Sequence, residues 1–135
     1  MTDTELEVEV LGAAEVPAAP SSQRTEELVA AALAARGVAD GHVAVSYVDA
    51  ARIAELNVEH RGKDGPTDVL SFPIDQDDAA TAGPRELGDI VICAAETADL
   101  EEAIVHGTLH LVGMDHEVDD GEMLALQDQL MEQLA

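Results

Sequence analysis

His106-Gly107-Thr108-Leu109-His110-Leu111-Val112-Gly113-Met114-Asp115-His116 is the stretch that decides how the chain folds. Two imidazoles four residues apart on a helix lie about 40° apart around its axis and about 6 Å apart along it, so both rings reach one ion. A glycine at 113 can take the left-handed conformation that ends a helix and folds the chain back, which returns His116 towards the first two rings. Neutral imidazole is the commonest protein ligand for transition metals, and three of them leave the fourth corner of a zinc tetrahedron open to water. The pattern therefore predicts a catalytic metal centre on a helix and the turn after it. Its expected ligands are His106, His110 and His116, with one zinc ion or another divalent transition metal as cofactor. Asp115 and Glu117 flank the third ligand and are candidates to accept the outer N–H of a ligand ring.

The spacing matches the metalloprotease run H-E-x-x-H-x-x-G-x-x-H, with one difference of consequence. Gly107 stands where such proteases carry the glutamate that takes a proton from water. The site keeps the means to hold a metal and activate water, and lacks the proton acceptor of a peptidase.

The chain has 135 residues, enough for one domain with a real core, and the whole of 1–135 is expected to form it. Apolar residues make up 47% of it, yet Tyr47 and Phe72 are its only Tyr and Phe and there is no Trp, so the core must be aliphatic. No run approaches about 18 uninterrupted apolar residues, and the acidic, alternating start is wrong for a signal peptide, so a cytoplasmic protein without membrane contact is expected. Cys93 is alone in an apolar run and reads as a buried thiol. Six basic against 29 acidic side chains give a net charge of −23. That balance is a handicap for phosphate binding, which draws on Lys and Arg, and suits a partner that is itself basic. Only Arg61 and Lys63 lie close together among the cations.

Outward from the histidine run, the apolar stretch 88–94 reads as a central strand. Asp99 with Glu102 makes a capping box for a metal-bearing helix over 100–112, and Asp119 with Glu122 makes another. The second opens a last helix with Met123, Leu126, Leu130 and Leu134 on one stripe. Residues 5–11 alternate as a half-buried strand, and Ser22 or Thr25 caps a helix running to Arg36. Residues 42–48 form a second strand, Asp49 caps a helix through His60, 61–66 form a loop, and 67–74 are β-rich. Residues 75–86 read as an exposed loop. The order βαβαββαα predicts an α+β fold with helices packed on a roughly four-stranded sheet and a zincin-like metal site.

Three blocks together resemble the YbeY family of bacterial endoribonucleases for ribosomal RNA maturation. They are Asn57 followed by Arg61-Gly-Lys-Asp-Gly-Pro-Thr-Asp-Val-Leu-Ser-Phe-Pro73, then Gly88-Asp-Ile-Val-Ile92, then His106 to His116. The resemblance implies the same α+β sheet, zinc on the three histidines, and Arg61 as a cleft arginine that engages RNA phosphate. It further implies a role in 16S 3′-end processing and ribosome quality control, with ribosomal RNA and the small subunit or its basic proteins as partners. Two features depart from the family pattern: only residues 93–105 separate the second block from the third, and Met114 replaces a usual Tyr.

On chemistry alone, Arg61 suits phosphate clamping and charge stabilisation because a guanidinium presents a fork of donors to two oxygens. Lys63 is a weaker candidate for the same task. Asp64 and Asp68 read as turn and strand-start residues, Phe72 as core, His60 as a helix-end histidine and His42 as exposed. A metal-dependent hydrolase of another substrate class, and a non-catalytic metal-stabilised factor that docks on ribosomes, remain open alternatives.

Overall fold

The structure is a computed structural model that describes residues 6–74 and 86–135. Along these residues run β1 (Leu6–Leu11), α1 (Ser22–Ala35), β2 (Gly41–Tyr47), α2 (Ala50–Arg61), β3 (Val69–Pro73), β4 (Glu86–Ile92), α3 (Leu100–Leu111) and α4 (Glu122–Leu134). The strands form one mixed sheet in the order β1-β2-β4-β3. β1 and β4 both run parallel to β2, and β3 runs antiparallel to β4. Pro73, which has no N–H to give to a ladder, ends β3 at the sheet edge.

Alternation along the strands divides the sheet into two faces. Val43 and Val45 of β2 and Ile90 and Ile92 of β4 point to one face, where they meet Leu28, Leu33, Ile104, Leu109, Met123 and Leu130 of α1, α3 and α4. On the other face Leu70, Val91 and Cys93 meet Ile53 of α2. Among the described residues the core is aliphatic apart from Tyr47, and Cys93 is a fully buried free thiol within it. The Arg24 side chain ties the three helices of the larger layer together. It donates to both carboxylate oxygens of Glu101 on α3, at 3.1 and 3.0 Å, and to the Leu134 carbonyl at the end of α4 at 2.6 Å.

The fold class is the expected one, while several boundaries differ. The cap of α1 is Ser21, whose hydroxyl accepts from the Arg24 N–H at 3.0 Å. Thr25 lies inside the helix and donates back to the Ser21 carbonyl at 2.8 Å. Asp49 and Asp99 cap α2 and α3 by accepting from the amides three residues on, Arg52 and Glu102. Before α4 the capping is spread over more residues. Asp119 accepts from Gly121 and Met123, Glu122 accepts from Asp120, and Gly121 is the cap residue. β4 begins at Glu86 rather than 88, because Glu86 pairs with His42 and the Leu87 carbonyl accepts from Ile74. The rest of the expected 75–86 loop lies outside the described residues. His42, expected to be exposed, is half-buried on the sheet, its ring nitrogens hydrogen-bonded to Glu86 of β4 and Glu9 of β1.

Candidate metal centre

α3 supplies the first two histidines, and its ending supplies the third. The Met114 N–H bonds the Leu109 carbonyl and the Gly113 N–H bonds the His110 carbonyl, each at 3.1 Å, which is the paired closure of a helix end by a left-handed residue. Gly113 holds φ +95°, a conformation a Cβ would strain. The reversed chain is then fixed by Asp115. Its side chain accepts from the Glu117 N–H at 2.9 Å, and its carbonyl accepts from Val118 and Asp119 at 3.2 Å. His116 sits between those anchors.

The result is a triangle of imidazoles. Ring centroids lie 4.8 Å apart for His106 and His110, 5.2 Å for His106 and His116, and 5.4 Å for His110 and His116. One nitrogen from each ring falls within 4.8 Å of the others, a grouping that could hold a metal ion. The donor chemistry fits a transition metal. The Nδ1–H of His110 donates to the Met114 carbonyl at 2.9 Å, and the Nδ1 of His106 is bonded to Gln127 Oε1 at 2.7 Å. With the proton on Nδ1, each ring offers an Nε2 lone pair to an ion. The His110 pKa is pushed down, first by burial and then by the neighbouring His106, which favours the neutral ligand form.

Asp115 and Glu117 were the expected partners of the ligand rings. The hydrogen bonds to His106 and His110 go instead to Gln127 and to the Met114 carbonyl. Asp115 is taken up by the turn, and both acidic residues line the cleft. Gln127 escaped sequence reasoning, although one signal pointed to it: it is a polar residue four positions after Met123, on the stripe that faces the core.

A cleft of about 880 Å³ opens beside the triangle, walled by Val69–Pro73, by the three histidines and their turn, and by His60 and Arg61 at the end of α2. Arg61 thus shares the cavity with the histidines, and among the described residues its guanidinium has no hydrogen-bond or ion-pair partner. Arg24 and Arg52 are both held by glutamates. Lys63 is exposed and is not part of the cleft wall. Phe72 is half-buried and meets the His60 ring edge-on at 4.6 Å. Asp68 behaves as a strand-start residue, its side chain accepting from the Val69 N–H at 2.8 Å.

Gly107 faces the sheet and not the cleft. A Cβ there would come within 2.6 Å of the Ile90 side chain and 3.2 Å of the Ser71 hydroxyl. Ser71 also donates to the Gly107 carbonyl at 3.0 Å, pinning β3 to α3. The position that carries the acid in metalloproteases is therefore closed to any side chain.

The family model described as Endoribonuclease YbeY matches residues 11–135. The chain belongs to the YbeY family. An Endoribonuclease YbeY of Rubrobacter xylanophilus is 41% identical over 133 residues, covering 93% of each chain. One from Geobacillus thermodenitrificans is 39% identical over 127 residues, covering 78% of this chain and 81% of the relative. Among solved structures, the solution structure of a Thermotoga maritima protein matches with a TM-score of 0.53 and 31% identity, covering 94% of this chain and 88% of the other. The YbeY match includes both segments that wall the cleft, from Arg61 to Pro73 and from His106 to His116. Among the described residues, no helix is long and apolar enough to cross a membrane.

Proposed function

We propose that this YbeY-family protein is a zinc-dependent endoribonuclease acting in ribosomal RNA maturation, at the 16S 3′ end, and in ribosome quality control. One observation carries the reading: three imidazoles with convergent nitrogens share a cleft with an arginine that is unpaired among the described residues. His106, His110 and His116 would hold the ion and leave one coordination position open. Zinc held there would supply Lewis acidity, activating water near neutral pH and polarising a phosphoryl oxygen. Arg61 would grip the phosphate and stabilise charge on it as an attacking oxygen bonds to phosphorus and the bond to the leaving oxygen breaks. Val69–Pro73, with Phe72 among them, wall the cleft in which a single strand would lie.

The working chain is read as one metal-dependent hydrolase domain in the cytoplasm. With a net charge of −23, general attraction to RNA is absent, so binding rests on the local cation and the metal. Basic proteins of the small subunit would complement the acidic surface and bring the cleft to its substrate. The closed position at Gly107 counts against the peptidase alternative.

The test is cleavage of a ribosomal RNA fragment by wild type and His110→Ala, purified in parallel, with and without added zinc. Zinc-dependent products from wild type alone are expected. Equal cleavage by both proteins, or none from wild type with zinc bound, would overturn the proposal.

A further inference from the structure

Gln127 is 6% exposed, on the α4 stripe that also buries Met123 and Leu130. A helix stripe facing a core is normally apolar, and a buried amide is costly unless it is hydrogen-bonded. Gln127 meets that requirement by placing Oε1 2.7 Å from His106 Nδ1. The two ligand rings on α3 therefore differ in how their protons are fixed. His110 faces a backbone carbonyl, which can only accept, so its proton must sit on Nδ1. His106 faces an amide, which accepts through Oε1 but would donate if turned over. In the turned arrangement the His106 proton moves to Nε2 and that nitrogen can no longer bind an ion. Among the described residues, the His116 ring has no hydrogen-bond partner, so the remaining control falls on Gln127.

We infer that Gln127 is a positioning residue for the metal centre: through its buried Oε1 it holds His106 in the Nδ1–H tautomer and presents Nε2 to the ion, making α4 part of the site. The inference rests on the metal reading above. A carboxylate at 127 can only accept and would make the His106 ring a stronger donor to the ion. A methionine fills similar space and leaves Nδ1 without a partner.

The experiment measures zinc affinity by competition with a chromogenic chelator for wild type, Gln127→Met and Gln127→Glu. It also records the His106 tautomer in the metal-free proteins by 15N NMR at pH 8. Gln127→Met is expected to weaken zinc binding about 10- to 100-fold and to move His106 away from the pure Nδ1–H form. Gln127→Glu is expected to keep the tautomer and bind zinc at least as tightly as wild type. Unchanged zinc affinity and an unchanged His106 tautomer in Gln127→Met would overturn the inference. Should Gln127→Met fail to fold, the wild-type tautomer and the affinity of Gln127→Glu decide it. Should wild type bind no zinc, the metal reading fails, while the His106 tautomer in wild type and Gln127→Met still decides the role of Gln127.

Discussion

Gly107 and Ile90 lie so close that a single added carbon on the glycine would stand 2.6 Å from the Ile90 methyl. That contact sets how deeply α3 seats on the sheet, and so where the two helical histidines emerge at the cleft. Ile90 is fully buried, so making room for the added carbon would disturb the packing around it. Gly107→Ala is therefore expected to destabilise the fold by about 1–3 kcal/mol through overpacking, against the modest gain that alanine brings to a helix. Urea unfolding measures this. Gly107→Glu should be worse still and confer no peptidase activity, and a folded, peptide-cleaving variant would contradict the orientation described.

Arg61 and Lys63 are two residues apart yet should respond unequally. Among the described residues, Arg61 lines the cleft without a hydrogen-bond or ion-pair partner, and Lys63 does not line it. Removing a charge-assisted contact costs about 1.5–3 kcal/mol, so Arg61→Ala should lower kcat/KM for RNA on the order of 10- to 100-fold. Arg61→Lys should recover only part of this, because an ammonium lacks the fork geometry. Lys63→Ala should change kcat/KM little. Equal losses at the two positions would indicate a diffuse electrostatic effect rather than a clamp.

Gly113 carries the turn that returns His116 to the triangle, at φ +95°. Among the described residues a Cβ there meets no neighbour within 4 Å, so the penalty of Gly113→Ala is conformational, about 1–2 kcal/mol. The variant should also bind zinc more weakly, as the third ring is displaced. Because a metal bound only by the folded state stabilises it, a chelator should lower the wild-type melting temperature and leave that of His110→Ala unchanged. Calorimetry with and without chelator checks both points.

His42 makes stability depend on pH. Its pKa is raised, chiefly by the hydrogen bond to Glu86 and against the opposing effect of burial, with Glu9 adding to the rise. A raised folded-state pKa gives stability that is fully present below the unfolded value near 6.5 and is lost as pH rises through the folded one. His42→Gln should thus cost more at pH 6 than at pH 9. Both glutamates are more than a third exposed, so the difference should stay below about 1 kcal/mol. Denaturant midpoints across this range measure it, and a larger loss at pH 9 would reverse the sign and refute the pairing.

Local backbone geometry was enough to anticipate the histidine triangle and the elements that carry it. Four residues make one helical turn and Gly113 permits the reversal, so the spacing of His106, His110 and His116 is a local property of the backbone. The alternation of β1 and the caps at Asp49 and Asp99 were legible for the same reason, since each involves residues within a turn of one another. What surrounds those histidines depends on how the helices and strands pack. Gln127 reaches His106 from 21 residues away because the packing of α4 on α3 turns its amide inward. The blocked face of Gly107, the arrival of Arg61 in the histidine cleft and the pairing of His42 across three strands depend likewise on how whole elements seat on the sheet. That seating is settled by many small apolar contacts acting together, and no short run of sequence contains them.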